Sequence, residues 1–366
     1  MHPDVPNFSP AVDLVIAVHS SSRPIERAVE SAALAGLALN VDGGLRINVV
    51  CHNIDPDLIK ERIGQTLRES VRFLECRDGI PSPAGPFNAG VEAATAPYVS
   101  IMGSDDFLEP GSLKQWLELA QRHGSAAVLA PQRHASGAKV RTPPVRVGRR
   151  LNLDPVKDRL SYRTAPLGLL ATAEIRRLGL SFTAGYRTGE DQEFSAKLYF
   201  GGGRLDYARG AGHYVVGADA VDRVTSEARP VKEDFLFALD LVESPWFKAL
   251  PEPSRRAIVT KLIRVHVFAA AASRTATLWT SAQRADLAEV SQTVLAAAPN
   301  SLHALSVADV RLFSAIADPS SSSADMVQLS RLRRKFGAPA TLLASRPASQ
   351  FSAESPLRFM AASALL

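Results

Sequence analysis

Four short apolar runs, each closed by a polar cluster and separated from the next by a segment of helical period, constrain this chain more than any other feature. Residues 12–18 read as a first buried strand, with His19-Ser20-Ser21-Ser22-Arg23-Pro24 as the polar loop at its end. Helical spacing follows over 25–37. A second strand over 45–51 runs into His52-Asn53-Ile54-Asp55-Pro56-Asp57, a helix is expected over 58–69, and 71–75 forms a short third strand. A proline-rich loop, 81–86, delivers Phe87-Asn88-Ala89-Gly90 to the next helix. The fourth run, Tyr98-Val99-Ser100-Ile101-Met102, stops at Gly103-Ser104-Asp105-Asp106. Short crossovers of this kind imply parallel strands with right-handed connections, so the polar clusters gather at one edge of a sheet. Ligands of open α/β sheets collect beyond the carboxyl ends of the strands, which is that edge.

Asp105 and Asp106 are the sharpest chemical signal. Two adjacent carboxylates repel unless a cation or a hydrogen-bond donor shares them, so a divalent metal or a sugar hydroxyl is a fitting guest. A solvated turn is the simpler account, since Asp is a common turn residue. Further on, 114–123 reads as a helix and 126–131 as a strand, and 133–150 is a basic, proline-containing loop. Order resumes over 161–170, with a helix over 173–178. The loop Phe182-Thr183-Ala184-Gly185-Tyr186-Arg187-Thr188-Gly189 leads into Glu190-Asp191, which opens a helix reaching about Phe200. Acidic residues there have a structural explanation too, because they cap free N–H groups and complement the helix dipole. Strand-like pieces follow at 204–208 and 213–216, and His213 beside the second reads as a satisfied structural histidine.

From about residue 230 strand patterns vanish and helical periodicity takes over, with a loosely ordered tail expected past Gly337. At 366 residues the chain exceeds what one core holds, so two domains are expected, 1–229 and 230–366. With 46% hydrophobic and 22% charged residues the composition is that of a globular protein. The net charge of +5 suits anionic partners, but aromatic and basic residues are not interleaved as in single-stranded nucleic-acid binders, so nucleic acid is not expected. Two cysteines, Cys51 and Cys76, make neither a disulfide framework nor a metal cluster of cysteines. No run approaches the roughly 20 apolar residues of a membrane span, and the first ten residues lack a basic and apolar leader. A cytoplasmic protein is expected. In the helical region Arg255, Arg256, Lys261 and Arg264 fall opposite Ile258, Val259, Leu262, Ile263 and Val267, an amphipathic basic face that leaves a peripheral contact with the inner face of the membrane open. Arg331, Arg333, Arg334 and Lys335 form a second basic cluster with the same ambiguity.

The order of these features resembles a family 2 glycosyltransferase of the GT-A fold over roughly residues 12–225, with the helical module outside the resemblance. The implied fold is α/β and Rossmann-like, a mainly parallel sheet with flanking helices, followed by an all-α C-terminal domain for acceptor binding, oligomerisation or membrane association. The implied activity is inverting transfer of a sugar from a nucleoside diphosphate donor, UDP-sugar first, with Mn2+ or Mg2+. The acceptor would be a hydroxyl of a cell-envelope polysaccharide, a teichoic-acid-like polymer or a lipid-linked precursor. By the resemblance Val18, His19, Ser20 and Asn53 meet the nucleobase, and Asn88, Ser104 and Asp105 lie along the donor. Asp105 and Asp106 hold the metal, Asp191 is the general base, Glu190 orients the loop or binds acceptor, and Arg223 approaches the pyrophosphate. Three positions depart from the family pattern: Gly103 where a first Asp is common, Cys51-His52-Asn53 where an acidic pair is common, and Phe87 where an arginine is frequent. Two other readings stand beside this one: a catalytically silent nucleotide-binding or scaffold protein, and a nucleotidyltransferase. The second would need a glycine-rich basic loop after the first strand, where His19-Ser20-Ser21-Ser22-Arg23 is a poor match.

Overall fold

The computed structural model of the chain describes residues 8–140, 145–217, 230–318, 320–335 and 337–365. It divides into two compact units. The first comprises Met1–Arg141, Arg150–Leu153 and Thr164–Thr225; the second comprises Thr142–Arg149, Asp154–Arg163 and Ser226–Leu366.

In the first unit, strands β1 (Val12–Val18), β2 (Leu45–His52), β3 (Val71–Cys76) and β4 (Tyr98–Gly103) are neighbours in a seven-stranded sheet, with the buried β1, β2 and β4 inside it and the half-buried β3 at its edge. β5 (Phe107–Leu108), β6 (Ala127–Leu129), β7 (Gln132–His134), β8 (Lys139–Val140), β9 (Gly168–Ala171), β10 (Leu205–Tyr207) and β11 (Tyr214–Val216) complete the strands. The large sheet has the order β10-β6-β9-β4-β1-β2-β3, and a second sheet runs β5-β11-β7-β8. β7 and β8 therefore lie where a loop was expected. Every pairing in the large sheet is parallel except those of β9, which runs antiparallel to both β4 and β6.

Helices α1 (Ile25–Ala33), α2 (Pro56–Lys60), α3 (Gln65–Arg68), α4 (Ala84–Glu92), α5 (Ser112–His123), α6 (Thr172–Leu178) and α7 (Gln192–Phe200) join the strands. The single helix expected over 58–69 is thus two short pieces; Gly64, extended in ψ, separates them. α4 lies close on the sheet because Gly90 lacks a side chain: a Cβ there would come within 2.2 Å of Val15 Cγ1.

One charged group sits inside the first strand. Asp13 is fully buried and accepts hydrogen bonds from Arg46 Nε at 2.6 Å, Asn48 Nδ2 at 2.9 Å, and the backbone N–H groups of Thr95 and Ala96, both at 2.8 Å. Burial alone would raise its pKa, but Arg46, Ala96 and Asn48 outweigh burial and hold the carboxyl below its usual value. This ion pair ties β1, β2 and the turn before β4 together at the amino edge of the sheet.

The second unit is helical: α8 (Val231–Glu243), α9 (Pro245–Lys248), α10 (Glu252–Lys261), α11 (Phe268–Ala272), α12 (Ser281–Ala296), α13 (Val307–Ala317), α14 (Ser323–Leu332), α15 (Pro339–Leu342) and α16 (Pro356–Ala364). A π-helical segment, Leu262–Val267, connects α10 to α11. The basic face expected on this helix is a surface only at its first turn, where Arg256 is exposed and pairs with Glu252. Lys261 is only 2% exposed, with its Nζ 3.0 Å from His266 Nε2. Arg264 donates to Glu354 Oε2 at 2.7 Å and to the Tyr162 hydroxyl at 2.5 Å. The tail is also ordered: α16 packs its Phe359 ring against Tyr162 and under the guanidinium groups of Arg159 and Arg264. Among the described residues no helix is long and apolar enough to cross a membrane.

Candidate active site

Register brings the polar strand ends into one row. Ala17 pairs with Gly103, Val18 with Cys51, and His52 with Cys76, so the loops after β4, β1, β2 and β3 leave the sheet side by side. The later acidic pair reaches the same edge by topology. β10 is parallel to β6, and β6 and β4 both run antiparallel to β9, so β10 begins at the amino edge. The preceding α7 must therefore start at the carboxyl edge, and Asp191 is its N-cap residue.

At the end of β4 both carboxylates have protein partners. Asp105 Oδ2 lies 2.9 Å from Arg23 Nη1, and its backbone oxygen accepts from Arg27 at 2.5 Å. Asp106 is a brace between strands: Oδ2 accepts from the Tyr214 hydroxyl at 2.5 Å and Oδ1 from the Gly217 N–H at 2.8 Å. Burial first, and then the charge of Asp106, push the Tyr214 phenol well above its ordinary pKa, so it stays a donor. Ser104, just before the pair, is buried. At position 103 a Cβ would sit 3.1 Å from oxygens of both Asp105 and Asp106, so glycine keeps a third group away from the pair.

At the end of β2 the missing acidic group is supplied by the loop after β3. His52 Nε2 lies 2.8 Å from Asp78 Oδ1, Asn53 Nδ2 donates to the same oxygen at 3.2 Å, and Asn53 Oδ1 accepts from the Gly79 N–H at 3.0 Å. Asn53 takes the left-handed conformation, with φ of 54°, to make this turn. Burial would raise the Asp78 pKa, yet hydrogen bonds from the Ile80 N–H, His52 and Asn53 bring it down to about 2. Asp78 carries no signal in the sequence, since its partner His52 lies on another strand end. Val18 is buried at the end of β1, His19 is exposed, and the Ser20 hydroxyl pairs with that of Ser22 at 2.8 Å.

Asn88 is committed to backbone. Its Nδ2 donates to the Phe182 carbonyl and its Oδ1 accepts from the Phe182 N–H, both at 2.8 Å, which pins the start of the loop that carries Glu190 and Asp191. Phe182 is further held by stacking on Phe194, ring centroids 4.4 Å apart. Asp191 makes no capping hydrogen bond with its side chain, so helix capping does not explain it; Oδ1 instead accepts from Gln192 Nε2 at 3.0 Å. Burial, and then the charge of Asp191, raise the Glu190 pKa to about 7. A buried carboxyl with a raised pKa beside a second carboxylate is a common mark of a functional site. His213 Nδ1 lies 2.8 Å from Glu109 Oε2, the satisfied histidine expected. Arg223 lies outside the described residues.

A divalent cation can be tested against these donors. Asp105 offers a hard carboxylate oxygen, as Mg2+ or Mn2+ requires, and such ions commonly take one or two carboxylates with the remaining ligands from water and substrate phosphates. Asp106 contributes less, because both its oxygens already accept hydrogen bonds. Among the described residues the one group of His, Cys and carboxylate atoms that comes together as three is His52, Cys76 and Asp78, all within 4.8 Å of one another. It does not include the acidic pair after β4.

Glu190 sets a pH dependence that can be measured. Its neutral form is favoured by folding, so its contribution to stability is complete below about pH 4.5, the unperturbed value, and is lost as pH rises through about 7. Glu190→Gln is expected to melt at a higher temperature relative to the natural protein at pH 8 than at pH 5. A difference that does not change between those pH values rejects a raised pKa at Glu190.

Residues 56–172 match the family model described as "Glycosyl transferase family 2". The chain is 29% identical over 126 residues to the succinoglycan biosynthesis protein ExoO of Rhizobium meliloti, covering 34% of each protein. It is 23% identical over 215 residues to the poly(ribitol-phosphate) beta-N-acetylglucosaminyltransferase TarS of Staphylococcus aureus, covering 57% of this chain and 36% of TarS. It thus spans about a third of the length of these curated relatives. The crystal structure of S. aureus TarS 1-349 in complex with UDP-GlcNAc superposes with a TM-score of 0.68 at 15% identity, covering 88% of this chain and 90% of that one. The complex of the same fragment with UDP gives 0.66. The fold is therefore shared with that fragment, and the matched segment makes residues 56–172 of this chain part of a glycosyltransferase family 2 domain.

Proposed function

We propose that the first unit transfers a sugar, with inversion, from a nucleoside diphosphate donor to a hydroxyl of a cell-envelope polysaccharide, a teichoic-acid-like polymer or a lipid-linked precursor. The observation that carries this reading is the alignment of four strand ends and the head of α7 on one edge, with Asp105 at one point and Asp191, whose side chain makes no capping hydrogen bond, at another. The acceptor oxygen attacks C1 of the donor sugar as Asp191 takes its proton. The bond from C1 to the diphosphate oxygen breaks, and the nucleoside diphosphate leaves. Glu190 holds the acceptor or the loop beside it. Asp105, with support from Asp106, would hold Mn2+ or Mg2+, which when bound neutralises charge on the departing diphosphate. Val18, His19, Ser20, Asn53 and the His52–Asp78 pair line the nucleobase end. Asn88 serves this site by fixing the loop. A UDP-sugar as donor is supported by the complexes of TarS with UDP-GlcNAc and UDP. Reaction in the cytoplasm fits the supply of such donors.

Calorimetry and hydrolysis assays with Mn2+ and a panel of uridine, guanosine and thymidine diphosphate sugars test the proposal. One donor is expected to bind and to be hydrolysed slowly, and Asp105→Ala is expected to weaken its metal-dependent binding by about tenfold or more. If no member of the panel binds or turns over, the reading loses to a scaffold protein.

A further inference from the structure

The ends of β2 and β3 bring together a donor set unlike the acidic pair after β4. His52 Nε2, Cys76 Sγ and a carboxylate oxygen of Asp78 lie within 4.8 Å of one another. Register puts the first two side by side, since His52 pairs with Cys76 and paired residues project from the same face of a sheet. The loop after β3 then turns Asp78 toward them. Its Oδ1 accepts from the Ile80 N–H at 2.9 Å and from Asn53 Nδ2 at 3.2 Å, and lies 2.8 Å from His52 Nε2. Oδ2 faces Cys76 Sγ, 3.8 Å away. Asn53 is oriented by the Gly79 N–H on its Oδ1, which aims the amide nitrogen at the group. Gly85 keeps the space beside it open, because a Cβ there would come within 2.0 Å of Asp78 Oδ2 and 3.3 Å of Cys76 Sγ.

A proton shared by His52 and Asp78, an ordinary ion pair on a strand end, is the simpler account. It explains those two residues and not the thiol. Burial, and then the charge of Asp78, raise the Cys76 pKa, so the thiolate is disfavoured here until a cation joins it. Imidazole nitrogen, thiolate sulfur and carboxylate oxygen are the mixed donors that Zn2+ takes, whereas Mg2+ and Mn2+ prefer oxygen throughout. Around a tetrahedral zinc ion such atoms stand about 3.3–3.8 Å apart, so a shift of about an ångström is needed. Exposed Asp78 and half-buried Cys76 can supply it. We propose that His52, Cys76 and Asp78 form a three-ligand zinc site, with the fourth position open to water or another ligand. Binding replaces the S–H bond of Cys76 by a Zn–S bond and releases the thiol proton to solvent. His52 ligates through Nε2 as the neutral tautomer, with its proton on Nδ1. Asn53 and the Ile80 N–H orient the carboxylate from outside, as partners of metal ligands commonly do. The site lies toward the proposed nucleobase end but needs no nucleotide.

The full chain, without a polyhistidine tag, is titrated with Zn2+ by calorimetry and with Co2+ by absorption. One Zn2+ per chain is expected, and Co2+ is expected to give a thiolate-to-cobalt charge-transfer band that Zn2+ abolishes and excess Mg2+ does not. Cys76→Ser should remove the band and weaken Zn2+ binding by at least about tenfold, and His52→Ala should weaken it likewise. The metal-free melting temperature of Cys76→Ser should match that of the natural protein, because the side chain is half-buried and its hydrogen bond to Asp78 is long and weak. Zn2+ should raise the melting temperature of the natural protein and leave that of Cys76→Ser unchanged. Asp105→Ala should bind Zn2+ as the natural protein does, which separates this site from the acidic pair. Absence of the cobalt band overturns the proposal, as does a band or a Zn2+ affinity that Cys76→Ser leaves unchanged. Neither donor nor acceptor enters these measurements, so failure here is distinct from failure of the transferase reading.

Discussion

Asp191→Asn is expected to lower turnover by roughly 10²- to 10⁴-fold, the range lost when a positioned general base is removed. Donor affinity should stay within about twofold, because the amide keeps the shape of the side chain and the base meets the acceptor rather than the nucleotide. The split between the two measurements is what matters. A merely structural Asp191 would lower the melting temperature and reduce donor binding and turnover together. Its side chain does not cap α7, so the helix itself should be indifferent to the change. Initial rates and calorimetric titration on the same preparation separate these outcomes, and an Asp191→Asn protein with undiminished turnover removes this residue from the mechanism.

The largest effect on stability is expected at the other edge of the sheet. Asp13→Ala leaves Arg46, itself buried, without its carboxylate, and leaves the N–H groups of Thr95 and Ala96 without an acceptor. Breaking one side of a buried ion pair typically costs about 3–5 kcal/mol. Urea unfolding of the natural protein and of Asp13→Ala should differ by that order. The folded carboxyl lies below its usual pKa, so its contribution is present above about pH 4 and is lost as pH falls through the lower folded value. The difference between the two proteins should therefore shrink in acid. A variant with unchanged urea stability at pH 7 would reject the buried pair as a source of this stability.

Legibility in the sequence followed the range of the interactions concerned. β1, β2 and β4 could be read because strands buried on both faces must be continuous apolar runs, and their polar ends mark where each run meets solvent. The direction of β9 could not, since Gly-Leu-Leu-Ala has the same pattern whichever way it runs, and only the partners β4 and β6 decide it. Asp78 escaped notice because its meaning comes from His52 across a strand register, and Arg23 because its partner Asp105 is distant in sequence. The helix at the C-terminal end reads as tail because little in its own sequence demands order; Tyr162, Arg159 and Arg264 hold it from outside. The amphipathic reading of 255–267 holds at Arg256 and not at Lys261 and Arg264, for a related reason. Charge on one side of a helix implies solvent only if no Glu354 or His266 waits there.

The clamp between Asn88 and Phe182 has a consequence for how the site can diversify. Asn88 rides on α4, α4 is seated on Val15 through Gly90, and Phe182 begins the loop that ends at Asp191. The coordinates of the loop are thus referenced to the central strand rather than to its own sequence. Between the anchor at Phe182 and the first turn of α7, residues 183–189 form a bridge fixed at both piers. On the proposed function, their side chains are a place where selectivity for one acceptor over another can be rewritten while Asp191 keeps its address.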